Sequence, residues 1–141
     1  MEPDLRVLLI EDDPAVAEMY SYRLEIDGYQ VTVAPDGEIG LALAIDTRPD
    51  LIYLDLRLPG PDGFAVLEKL RAQDATRALP VVILTNYNEP DLIERGRQLG
   101  ALDFLVKAET SPGALTKRMA EWLQDESLGQ RPTAAATEGL G

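Results

Sequence analysis

The chain of 141 residues contains neither cysteine nor histidine. Without cysteine it can form no disulfide, thiolate zinc site or cysteine nucleophile, and it suits a reducing compartment. Without histidine it cannot be a phosphohistidine carrier, a Ser-His-Asp hydrolase or a histidine-ligated metal enzyme. Positive charge is scarce too: 13 Lys and Arg face 25 Asp and Glu, and the net charge of -12 opposes binding to DNA, RNA or anionic lipid. No apolar run approaches the roughly 20 residues of a membrane span, and the first residues lack a signal-peptide pattern. These absences predict a cytoplasmic protein with no DNA partner and no membrane partner. The length is that of one domain with one core.

Apolar segments of strand length recur at Arg6 to Ile10, Tyr29 to Val33, Leu51 to Leu54, Val81 to Leu84 and Leu102 to Val106. Helical patterns lie between them. The first has Asp13 as N-cap and Pro14 at its first position, with Val16, Met19, Tyr20 and Leu24 on one face, and should end near Asp27-Gly28. The second begins at Asp36 with Ile39, Ala42 and Leu43 inward, and the third at Asp62 with Phe64, Leu67 and Leu70 inward. The fourth, led by Asn88 to Pro90, should bury Leu92, Ile93 and Leu99. The fifth starts at Ser111-Pro112 and carries Leu115, Met119, Trp122 and Leu123. Continuous apolar strands alternating with amphipathic helices predict an α/β fold, a doubly wound, five-stranded parallel sheet with five helices covering both faces. Residues 1–124 form this domain, and 125–141, which lack an apolar period, read as a flexible tail.

The candidate chemistry sits where these strands end. Asp55 closes Leu51-Ile52-Tyr53-Leu54 and is followed by Leu56-Arg57-Leu58-Pro59-Gly60-Pro61-Asp62-Gly63, which cannot continue a strand. Glu11-Asp12-Asp13 closes the first apolar run, Thr85 the fourth and Lys107 the fifth. Open α/β sheets place their ligands at the carboxyl ends of their strands, so acids and one base converge on a single edge. An acid after a strand is by itself most often a helix N-cap, a lysine there a surface residue, and a threonine there part of a turn. The joint pattern carries the case.

Asp12 precedes Asp55 by 43 positions, and Thr85 and Lys107 follow Asp55 by 30 and 52. Through Leu9-Ile10-Glu11-Asp12-Asp13-Pro14, the segment from Asp55 to Gly63, Leu84-Thr85 and Asp103-Phe104-Leu105-Val106-Lys107, the sequence resembles the receiver domain of two-component response regulators over residues 5–124. The resemblance implies Asp55 as phosphoacceptor and Mg²⁺ as cofactor, with Asp12, Asp55 and the backbone carbonyl of Arg57 as direct ligands and Glu11 acting mainly through water. Asp13 is then a helix cap. A carboxylate that attacks phosphorus beside two further acids needs its charge neutralised, and Mg²⁺ favours such hard oxygen donors. Lys107 and Thr85 would stabilise the phosphoryl oxygens. Phe104 stands at the family's aromatic switch position, and core packing explains it equally well.

The implied function is a stand-alone response regulator, phosphorylated by a histidine kinase or phosphotransfer protein and acting on a downstream protein that the sequence does not name. It is a signalling protein rather than an enzyme, catalysing only its own phosphorylation and dephosphorylation. Signalling, and a possible homodimer, would use the face built by the fourth helix, fifth strand and fifth helix. Two alternatives remain at this stage: a phosphorylation-independent binding module, and an aspartyl-phosphate phosphatase. The phosphatase class wants a second acid two residues after its nucleophile, where this chain has Arg57. Four positions depart from the family pattern or vary within it. Ala108 follows Lys107 in place of the usual proline, so the cis peptide that the family has there loses its cheap route, and the sequence leaves the peptide geometry at Lys107-Ala108 and the loop after it open. Asn86 stands where a smaller residue is usual, and Arg57 and Tyr87 flank the path of a hydrolytic water.

Overall fold

A computed structural model describes residues 5–124, with side chains through Trp122. Leu123, expected inward, and the expected tail at 125–141 lie outside what is described. Five strands, β1 (Arg6–Ile10), β2 (Gln30–Ala34), β3 (Leu51–Leu54), β4 (Val81–Thr85) and β5 (Asp103–Val106), alternate with five helices. The helices are α1 (Pro14–Ile26), α2 (Gly37–Thr47), α3 (Gly63–Ala72), α4 (Pro90–Gln98) and α5 (Pro112–Gln124). All strands pair in parallel in the order β2-β1-β3-β4-β5. The expected doubly wound sheet is therefore present, with β2 shifted one residue later than its apolar run, β4 ending one residue later and β5 starting one residue later.

Each central strand buries both faces, as the unbroken apolar runs require. Leu8, Ile10, Ile52, Leu54, Val81 and Ile83 pack with Phe64, Val66, Leu67 and Leu70 of α3, with Ala44 of α2, with Leu92 of α4 and with Leu99 just after it. The alternate residues Val7, Leu9, Leu51, Tyr53, Val82 and Leu84 pack with Ala17, Tyr20 and Leu24 of α1 and with Leu115 and Met119 of α5. Two helices thus cover one face and three the other.

Asp13, Asp36 and Asp62 each accept a backbone N–H of the first turn of α1, α2 and α3, a cap worth about 1 kcal/mol apiece. Pro90 opens α4 behind Glu89, whose side chain makes no cap bond. Four inward assignments fail: Met19, Ile39 and Ile93 are among the exposed large hydrophobics, and Ala42 is exposed. Their places facing the sheet are taken by smaller residues. A Cβ on Gly40 would lie 2.6 Å from Ile10, and one on Gly96 2.7 Å from Ile83, so α2 and α4 approach the sheet through glycine and their bulkier residues turn outward.

Candidate functional site

The strand order reverses at β1, whose two neighbours are β2 and β3, and the connections leaving β1 and β3 diverge to opposite sides. That divergence opens a crevice at their carboxyl ends. An open cleft of about 540 Å³ lies there, lined by Glu11, Asp12 and Asp13 after β1, Asp55, Arg57, Leu58 and Pro59 on the loop after β3, Asn86 and Tyr87 after β4, and Lys107 after β5. Five of the seven residues singled out in the sequence, Glu11, Asp12, Asp55, Arg57 and Lys107, meet in it.

Glu11, Asp12 and Asp55 each offer a carboxylate oxygen within 4.8 Å of the others. Two of the three are withdrawn from water: Glu11 is 3% exposed and Asp55 5%. Lys107 Nζ lies 2.5 Å from Glu11 Oε1 and 2.9 Å from Asp55 Oδ2 and donates to both acids. Burial pushes the Glu11 carboxyl above its ordinary range, against the lowering effect of Lys107 and of the Asp13 N–H that it accepts. Burial pulls the Lys107 ammonium down, but its bonds to Glu11 and Asp55 and their charges outweigh this and hold it raised. The lysine therefore stays charged, and Glu11 is the member of the pair whose ionisation the site disfavours.

The loop after β3 is folded tightly. Gly63 N–H donates to the Leu56 carbonyl at 2.9 Å, and the Arg57 N–H reaches Asp55 Oδ1 at 3.3 Å. Arg57's main chain thus runs against the carboxylate, while its guanidinium lies over the Tyr87 ring, 4.5 Å from the centroid.

Two residues stand apart from the cleft lining. Thr85 is fully buried at the end of β4, and its Oγ1 accepts the Tyr87 N–H at 3.4 Å. Phe104 is half-buried and packs toward the α3 and α4 side of the core, against the space left by Gly96.

Sequence reasoning missed what Asn86 does. It is exposed beside the cleft, but its Oδ1 accepts the Ala108 N–H at 2.8 Å, joining the residue after Thr85 to the residue after Lys107. The signal was present: a residue other than proline at 108 has an N–H to place. No peptide among the described residues is cis, and Lys107–Glu109 form a single 3₁₀ turn.

The family model described as the response regulator receiver domain matches residues 7–120. RpaA of Synechocystis sp., a DNA-binding dual master transcriptional regulator, is 45% identical over 102 residues, which are 72% of this chain and 42% of that protein. PhoB of Escherichia coli, a phosphate regulon transcriptional regulatory protein, is 36% identical over 114 residues, 81% of this chain and 49% of PhoB. The chain thus spans less than half the length of either relative. Among solved structures, the chemotaxis protein CheY4 of Vibrio cholerae superposes with TM-score 0.79 at 31% identity, over 84% of this chain and 98% of CheY4. The receiver domain of the sensor histidine kinase PA1611 of Pseudomonas aeruginosa, solved with a magnesium ion in its active-site cleft, gives TM-score 0.78 at 30% identity over 87% of this chain and all of that one. A five-stranded parallel sheet with an acid cluster and a lysine at its carboxyl edge is the architecture of a signalling receiver. The chain belongs to the response regulator receiver domain family.

Proposed function

We propose that this receiver accepts a phosphoryl group on Asp55 from the phosphohistidine of a histidine kinase or phosphotransfer protein. An Asp55 carboxylate oxygen would bond to phosphorus as the phosphorus–nitrogen bond of the donor breaks, leaving the imidazole nitrogen with the electron pair. The observation that carries the proposal is the position of Asp55: a buried strand-end carboxylate in an open cleft, within 4.8 Å of two further acids and 2.9 Å from an ammonium. The donor set fits Mg²⁺, which favours hard oxygen ligands and retains water where a site is open. Asp12, Asp55 and the Arg57 carbonyl would hold it directly and Glu11 through water. When bound it offsets the mutual repulsion of acids and incoming phosphate. Lys107 then passes from the carboxylate to a phosphoryl oxygen, and Thr85 Oγ1, which now accepts from the Tyr87 N–H, becomes a donor to another.

The output would pass through the α4, β5 and α5 face, by contact with a downstream protein or with a second copy. There Arg118 pairs with Asp103 of β5 and lies 5.5 Å from the Trp122 ring centroid. Phe104 would be the mobile part, turning between Gly96 and solvent. The DNA-binding role named for RpaA belongs to a protein of which this chain spans 42%. For the residues in hand, the net charge of -12 supports protein rather than DNA contacts. Among the described residues no helix is long and apolar enough to cross a membrane, which accords with the proposed cytoplasmic site of action.

The test is incubation with acetyl phosphate and Mg²⁺ followed by phosphoprotein-sensitive electrophoresis. A retarded species is expected in the wild type and none in Asp55→Asn. Absence of the species from the wild type would instead favour a phosphorylation-independent binding module.

A further inference from the structure

The 3₁₀ turn at Lys107–Glu109 leaves the Ala108 N–H without a partner in its own segment, because the first N–H groups of any helical turn point away from its carbonyls. The partner comes from 22 residues earlier: Asn86 Oδ1 accepts it at 2.8 Å. Thr85 and Val106 are the last register partners of β4 and β5, so this bond continues the pairing of the two strands by one step with a side chain after their main chains have parted. Further along the same turn, Thr110 N–H donates to the Lys107 carbonyl, and the Thr110 carbonyl accepts the buried Tyr20 hydroxyl at 2.7 Å. Lys107 is therefore held between two fixed points, Asn86 on one side and Tyr20 on the other, with its ammonium on Glu11 and Asp55.

We propose that Asn86 is a positioning residue for Lys107, and that Asn86 and Ala108 work as a matched pair, the amide oxygen supplying the anchor and the absence of proline supplying the donor. The inference rests on the roles proposed above for Lys107 and Asp55. Two consequences of opposite sign follow. A lysine held on Glu11 and Asp55 competes with a cation for the same carboxylates, and the same placement readies it for a phosphoryl oxygen. Loosening the turn should strengthen Mg²⁺ binding and weaken binding of a phosphoryl mimic, whereas a general loss of structure would weaken both.

The experiment compares wild type, Asn86→Ala, Ala108→Pro and the double variant by NMR. Mg²⁺ is titrated alone, then beryllofluoride at saturating Mg²⁺, and hydrogen exchange of the Ala108 amide is followed without ligand in the wild type and in Asn86→Ala. Asn86→Ala should raise Mg²⁺ affinity and lower beryllofluoride affinity, each about fivefold, the scale of one ordinary intramolecular hydrogen bond. Ala108→Pro should match it, and the double variant should go no further than either. The Ala108 amide should be protected in the wild type and lose that protection in Asn86→Ala. Affinities that fall together, effects that multiply in the double variant, or an unprotected Ala108 amide in the wild type would each overturn the pairing. If wild type binds Mg²⁺ but no beryllofluoride, the phosphoacceptor reading fails alone, and the Mg²⁺ titration and amide exchange still decide the role of Asn86.

Discussion

The Arg57 guanidinium lies over the Tyr87 ring at 4.5 Å from its centroid, joining the loop after β3 to the loop after β4 across the mouth of the cleft. Both residues line that cleft, and a water that hydrolyses an acyl phosphate on Asp55 must approach phosphorus in line, opposite the leaving carboxylate. The stack should obstruct that approach and lengthen the signal. Asn86, next to Tyr87, has its amide oxygen committed to Ala108 instead. Phospho-Asp55 should decay faster in Arg57→Ala and in Tyr87→Ala, with a coupling between the two of about twofold to fivefold, as expected of an exposed cation–π pair. Slower decay in either variant would mean that the pair guides the water rather than excluding it.

How much of this was readable beforehand depended on side-chain size. Apolar runs ending in acids or a lysine marked the strands, and Asp13, Asp36 and Asp62 marked helix starts because a short carboxylate satisfies first-turn N–H groups. Helix faces were harder. Segments such as Gly37–Thr47, which carries Ile39, Leu41, Leu43 and Ile45, are apolar nearly all round, and choosing the largest residues as the inward ones put Ile39 inside. The sheet instead receives Gly40 and Ala44, while Gly37 faces Val66 of α3, since a helix that approaches closely leaves room only for small groups. The same reversal sets Ala17 above Met19 and Gly96 above Ile93. The Asn86 to Ala108 bond and the Arg57 to Tyr87 stack escaped notice for a different reason: each joins two loops whose separation only the folded chain determines.

Mg²⁺ binding should depend on Asp12 and Asp55 together. Asp12 is exposed at the cleft edge whereas Asp55 is buried beneath it, so Asp12→Ala removes a ligand without opening the core. Calorimetry should give a weak wild-type affinity and a clearly weaker one for Asp12→Ala. An unchanged affinity would remove Asp12 from the ligand set.

Gly63→Ala tests how tightly the loop around Asp55 is packed. A Cβ at Gly63 would lie 2.3 Å from the Asp55 carbonyl oxygen and 2.7 Å from Leu56 Cα, both main-chain atoms that cannot rotate aside. The loop must shift, which should cost about 1 to 3 kcal/mol in urea unfolding. Asp55 would be displaced with it, so Mg²⁺ affinity should fall as well. Wild-type stability in Gly63→Ala would show the loop to be slack.

The final prediction concerns Glu11 and pH. Burial is the largest influence on its carboxyl and raises its pKa in the folded state, against the opposing effect of Lys107. A carboxyl whose folded-state pKa lies above its unfolded value of 4.5 favours the fold most when protonated: its contribution is complete below that unfolded value and is lost as pH rises through the folded one. At neutral pH the ionised Glu11 is thus a cost that the metal-free protein carries. Glu11→Gln keeps the shape and removes the charge, so without Mg²⁺ it should melt higher than wild type at pH 7, and the difference should vanish below about pH 4.5, the ordinary glutamate value. With saturating Mg²⁺ the advantage at pH 7 should shrink or reverse, because the cation then favours the ionised form that glutamine cannot supply. Melting curves at pH 4 and pH 7, with and without Mg²⁺, separate these cases. A Glu11→Gln variant less stable than wild type in metal-free buffer at pH 7 would mean that the bond from Lys107 to Glu11 outweighs the burial of the charge.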